Sequence, residues 1–154
     1  MSRTVLVLVP HPDDAEIYVG GLIRKFVSEG ARVQVVIATD GSCGSYALDS
    51  ETLARLRGDE ARAASAALGA APPILLGHHD GDLDKLAPGV LREQFVRLIR
   101  QARPDTVITE DPFNTHRIHP DHRAVAWAAA EAVDQADLPL IYPEHLAAGW
   151  APHF

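Results

Sequence analysis

The stretch VLVLVPHPDDAE, residues 5–16, decides the fold. Its first five residues form an unbroken aliphatic run closed by Pro10, and a run without polar alternation reads as a strand buried on both faces, as in a parallel sheet. Beyond the polar segment, Ile17, Leu22, Ile23, Phe26 and Val27 recur at helical spacing, and Gly30 supplies a stop signal. A second apolar run over residues 33–38 ends at Thr39, Asp40 and Gly41. Strand, helix and strand together make a βαβ unit.

Working outward, an Ala-rich segment over residues 50–68 reads as a helix ended by Gly69, and Pro72-Pro73 leads into a strand at residues 74–76. Leu91, Phe95, Val96, Leu98 and Ile99 mark a helix before Pro104, and residues 105–109 read as a fourth strand. Pro120 opens a further Ala-rich helix ending near Val133, since proline suits the first helical position. A last strand is expected near Leu140. Alternating strands and helices predict an α/β fold: a Rossmann-like, doubly wound, mostly parallel sheet with helices on both faces and a ligand crevice outside the carboxyl ends of the strands. No repeat, low-complexity tract or linker divides residues 1–154, which are expected to form a single domain.

Length and composition agree: 154 residues, 47% apolar and 23% charged, describe one soluble globular domain. A chain of this size buries roughly 68–70% of its unfolded surface, so its core needs neither disulfides nor a structural metal. Any metal is then expected to be functional. Fourteen Lys and Arg against 21 Asp and Glu leave a formal charge of −7, which repels phosphate backbones and argues against a nucleic-acid partner. Cys43 is the single cysteine, and no basic segment precedes an apolar stretch with a cleavage site, so a reducing cytoplasm is the default compartment. No apolar run approaches the roughly 18 residues of a membrane span.

Ligand-type residues gather where this architecture places its crevice. His11, Asp13, Asp14 and Glu16 follow the first strand; His116, His119, Asp121 and His122 follow the fourth. A catalytic zinc takes three imidazole or carboxylate ligands and leaves one position for water, and His11, Asp14 and His122 could supply them. Taken alone, Asp13, Asp14 and Glu16 would merely decorate a helix N-terminus, where the dipole favours carboxylates. The second segment shifts the balance toward metal. His116 reads as a solvated loop residue.

The sequence PHPDDAE at residues 10–16 with Gly20-Gly21 following, and HPDH at residues 119–122, resembles the LmbE-like, or PIG-L, family of zinc-dependent deacetylases, which remove acetyl groups from N-acetylglucosaminides. Thr39-Asp40-Gly41, Arg57-x-x-Glu60 with Ala-rich sequence to Leu68-Gly69, and His79-Asp80-Gly81 extend the resemblance over nearly the whole chain. The resemblance implies that His11, Asp14 and His122 hold zinc, with Fe2+ or another divalent ion as substitutes. Asp13 would be the general base. His119 would be protonated, donating to the oxyanion or acting as general acid, with Asp121 as the nearby carboxylate that offsets the helix dipole. Arg57 and Asp80 would contact sugar hydroxyls. The implied activity is removal of the N-acetyl group from an amino-sugar or glycoconjugate substrate, with release of acetate. Alternatives are cleavage of another amide, such as a thiol conjugate, or a metal- or sugar-binding module without turnover. An iron facial triad is a third, less suited to residues that fill acid and base roles. Family members continue past the point where this sequence stops, so a C-terminal extension is expected to be lacking. A compact form, a fragment, or a pocket completed by a neighbour in a homo-oligomer would each account for that.

Other signals are set aside. Residues 41–45 lack the lysine and spacing of a P-loop. Cys43 has no histidine assigned beside it and reads as a non-catalytic thiol. Asp80, Asp82 and Asp84 alternate like the start of a calcium loop, but Lys85 and Leu91 stand where that loop needs glycine and glutamate. Trp127 reads as core packing.

Overall fold

Residues 5–9 lack alternation because both of their faces are covered. In the computed structural model, which describes residues 3–153, β1 (Thr4–Val9) lies inside a sheet completed by β2 (Arg32–Thr39), β3 (Ile74–His78) and β4 (Thr106–Ile108). All pairings are parallel and the strand order is β3-β2-β1-β4. Val5, Val7 and Val9 pack toward α1 (Asp14–Ser28) and α2 (Ser50–Leu68), whose Ala15, Ile23 and Ala61 join their cluster. Leu6 and Leu8 pack toward α3 (Val90–Ala102) and α4 (Pro120–Gln135) through Phe95, Ile99, Val125 and Ala129. The chain runs outward from β1 to β3, then returns to β4 on the other side of β1. That reversal opens a crevice at the carboxyl ends of β1 and β4. The expected Rossmann-like, doubly wound α/β sheet is thus the observed fold. No helix among the described residues is long and apolar enough to cross a membrane.

Local signals set the element ends. Asp49 caps α2 by accepting from the Thr52 N–H at 2.9 Å, and Gly69, at φ 78°, ends the same helix in a left-handed turn that a side chain would resist. Pro120 occupies the first turn of α4, where its missing N–H costs nothing. β4 is shorter than the expected residues 105–109, and its outer edge is unpaired among the described residues. Beside it, between α3 and α4, lies a mostly apolar hollow of about 410 Å3 lined by Ile99, Val107, Ala129 and Val133.

The strand expected near Leu140 is absent. Leu138, Ile141 and Tyr142 instead turn their carbonyls inward onto the buried guanidinium of Arg100, which leads to the short α5 (Glu144–Ala147). All five Arg100 N–H groups are used: Nε on Ala136 O at 3.0 Å, Nη1 on Tyr142 O and His145 Nδ1 at 3.2 Å each, Nη2 on Leu138 O at 2.8 Å and Ile141 O at 3.0 Å. Because His145 Nδ1 accepts, its Nε2–H donates to Glu93 at 2.8 Å. Carbonyls gathered on one cation cannot also form a strand ladder.

Arg100→Ala should therefore lower stability by at least about 3 kcal/mol, the scale of two charge-assisted hydrogen bonds, in urea unfolding. Amides of residues 136–145 should exchange faster. A loss below about 1 kcal/mol would show that water replaces the guanidinium at little cost.

Candidate active site

Two strand ends aim the site. The Pro10 carbonyl accepts from the Thr39 N–H at 2.8 Å and from Thr39 Oγ1 at 2.9 Å, which pins the turn leaving β1. Thr109 Oγ1 donates to Leu8 O at 3.1 Å, which pins the exit of β4. Between them the first turns of α1 and α4 face one another across the crevice.

His11, Asp14 and His122 are buried and bring their donor atoms within 4.8 Å of one another. His11 Nδ1 lies 3.2 Å and His122 Nε2 3.7 Å from Asp14 Oδ2. The far nitrogen of each ring is engaged by a carboxylate. His11 Nε2 stands 3.1 Å from both Asp121 Oδ2 and Asp80 Oδ1, and His122 Nδ1 is hydrogen-bonded to Glu110. Metal-ligating histidines are held in this way, with one nitrogen on an outer carboxylate and the other free for the ion. A second group, His11, Asp80, His119 and Asp121, is equally close-set. Its carboxylates already accept backbone N–H groups, from Gly81 at 2.7 Å and Leu83 at 3.0 Å on Asp121, and from Cys43 at 3.1 Å on Asp80. It serves as support.

The electrostatics ask for a cation. Burial pulls the His11 imidazole down, yet hydrogen bonds to Asp121, Asp14 and Asp80 raise it to about 11. The hydrogen bond from His11 holds Asp80 at about 2 against its burial. Burial pushes Asp14 and Asp121 up, but their contacts with His11 win and both are lowered. Three carboxylates around one imidazole leave a negative excess, and two imidazole nitrogens with one carboxylate oxygen are a donor set suited to a divalent ion.

Asp13, Arg57, Asp80 and His119 line one cavity of about 280 Å3 with His11, His122, Cys43 and Gly44. Asp13 has φ 138° and ψ −22°, a backbone conformation that costs a non-glycine residue on the order of 1–3 kcal/mol and gathers at functional sites. Arg57 holds it there: its Nη2 lies 2.7 Å from Asp13 Oδ2 and donates to Pro12 O at 2.6 Å, while Nη1 donates to Gly41 O at 3.2 Å. Burial raises Asp13, against the pull of Arg57. His119 caps α4, its Nδ1 accepting the Asp121 N–H at 3.3 Å, so in the neutral ring Nε2 carries the proton.

Asp121 brings a carboxylate oxygen within 4.8 Å of a His119 nitrogen, as expected of the nearby carboxylate, and its fully buried side chain also meets His11 and accepts two backbone N–H groups of the 81–83 turn. Two expectations need correction. Cys43 does have a histidine beside it, with Sγ 3.9 Å from His79 Nε2, since the loop after β3 folds back over the loop after β2. Trp127 is 47% exposed and stacks edge-on with the exposed Phe113, as the turn of α4 that carries it faces the β4–α4 loop. His116 lies exposed in that loop. Glu110 went unnoticed in the sequence, although a carboxylate directly after the fourth strand sits where the fold puts its crevice.

The profile of the PIG-L family, described as GlcNAc-PI de-N-acetylase, matches residues 6–133. A diacetylchitobiose deacetylase of Thermococcus kodakarensis is 35% identical over 98% of this chain and 57% of its own length. A probable N-acetyl-alpha-D-glucosaminyl L-malate deacetylase 2 of Bacillus cereus is 32% identical over 88% of this chain and 63% of its own. The solved structure of N,N'-diacetylchitobiose deacetylase from Pyrococcus horikoshii superposes with a TM-score of 0.92 at 32% identity, covering 99% of this chain and 57% of that one. The chain thus spans about three-fifths of the length of these relatives.

Zinc added to metal-free protein should raise the melting temperature, by about 4 kcal/mol of stabilisation at a thousandfold excess over Kd, and His122→Ala should remove most of that gain. Identical melting with and without zinc would dismiss the ion. At Gly41, φ 68°, an added Cβ would fall 2.8 Å from Pro12 Cδ and 3.0 Å from Arg57 Nη1. Gly41→Ala should cost on the order of 1–3 kcal/mol in chemical denaturation.

Proposed function

This chain belongs to the PIG-L, or LmbE-like, family, and on that premise we propose that it is a zinc-dependent N-deacetylase, a hydrolase that releases acetate from an N-acetylglucosamine-containing substrate. The observation that carries the reading is the convergence of His11, Asp14 and His122 beside a cavity that His11 and His122 line together with Asp13. Zinc is favoured by two nitrogens and one carboxylate, a set that leaves a coordination position open. When bound, it supplies Lewis acidity that makes water nucleophilic at neutral pH and polarises the amide carbonyl.

The remaining chemistry falls to the chain's own residues. Asp13, half exposed on the cavity and raised by burial, takes a proton from the attacking water. Once protonated, it returns that proton to the departing nitrogen, which leaves as a free amine. His119 presents its Nε2–H to the oxyanion. With Nδ1 already accepting from the Asp121 N–H, His119 serves as a hydrogen-bond donor through Nε2, and the proton shuttle rests on Asp13. Arg57 keeps Asp13 aimed, and its Nε–H and one Nη1–H are left over for a sugar hydroxyl. Asp80 lines the same cavity, and its lone pairs offer acceptors to a second hydroxyl.

Asp13→Asn should lower acetate release from N-acetylglucosaminides by about 100- to 10,000-fold while zinc binding is retained. Turnover followed by free-amine labelling decides it: an active Asp13→Asn protein would sink the mechanism, and zinc-loaded wild type inert on all such amides would sink the substrate class.

A further inference from the structure

Glu110 leaves the end of β4 and hydrogen-bonds His122 Nδ1, with both side chains largely buried. Its other oxygen, Oε2, lies 3.6 Å from Arg117 Nε. Arg117 is itself seated: its Cζ lies 4.5 Å from the centroid of the Tyr18 ring on α1. The intervening loop is braced by its own turns, with Asn114 N–H donating to Asp111 O at 3.2 Å and Arg117 N–H to Asn114 O at 3.3 Å. One line of contacts therefore runs from α1 through Tyr18, Arg117 and Glu110 to His122, and from there back to Asp14 on α1.

We propose that Glu110 is the positioning residue of His122, and that Arg117, docked on Tyr18, fixes the Glu110 carboxylate in that role. The reading rests on the metal placement proposed above. Because the Nδ1–H donates to Glu110, the lone pair of Nε2 is left pointing toward Asp14 and His11. A carboxylate on the far nitrogen also makes the ring a stronger donor. Glu110 grows from a strand end pinned by Thr109, so its aim does not depend on the loop alone. Arg117 adds a restraint from the opposite wall of the crevice, which couples α1, bearer of Asp14, to the loop ahead of His122.

The test measures zinc affinity by competition with a chromophoric chelator, beside the visible spectrum of the cobalt-substituted protein. Glu110→Ala should weaken zinc by about 10- to 100-fold. Glu110→Gln, which still accepts from Nδ1–H but lacks the charge, should recover part of that loss and shift the cobalt bands, with the urea midpoint held near wild type. Arg117→Ala should weaken zinc only a few-fold, on the scale of an exposed charge contact. A Glu110→Ala protein whose zinc Kd stays within twofold of wild type, with an unshifted cobalt spectrum, overturns the proposal. Wild type that takes zinc no better than His122→Ala fails the metal placement, and this proposal with it. Tight zinc in wild type that is lost in Glu110→Ala, with no acetate release from the zinc-loaded wild type, leaves the positioning role standing and removes only the deacetylase reading.

Discussion

The contact on which the rest depends is that between the His11 imidazole and the Asp121 carboxylate, 3.1 Å apart and 110 residues apart in the chain. Asp121 simultaneously accepts the Gly81 and Leu83 N–H groups, so one buried carboxylate ties together the end of β1, the turn after β3 and the start of α4. Those are three of the segments that border the cavity. A buried carboxylate is costly without partners, and here the partners are the pieces of the site. Closing the fold and aiming His11 are consequently one event.

The two short motifs divide their labour by helical geometry. In the first, His11 and Asp14 turn inward to the same point while Asp13 between them turns to the cavity mouth and Arg57. In the second, His119 caps α4, Asp121 turns into the interior, and His122 faces Asp14. Neighbouring residues thus reach three different environments within one turn, and the difference in burial separates their charges and roles.

Much of this was legible in the chain. Apolar runs without alternation announced a parallel sheet, and proline and glycine marked helix ends, because burial and backbone sterics act locally. The crevice could be located from strand ends alone, and the structure brings His11, Asp14 and His122 together there. Less visible were contacts that depend on long-range packing. Nothing in the sequence around Arg100 marks its burial, yet it gathers the carbonyls of a segment expected to form a strand near Leu140. Asp121 sits two residues from His119, but the backbone donors that hold its carboxylate come from about forty residues upstream. Glu110 and His79 belong to loops, whose direction no periodicity encodes.

The backbone at Asp13 sets stability against chemistry at a single position. A glycine there would adopt φ 138° without strain, so losing the carboxylate would also relax the chain. Selection for robust folding alone would drift away from aspartate at this site, and only selection for turnover would bring it back. Proteins that have lost the reaction while keeping the fold would then look, by every measure of folding, healthier than those that retain it.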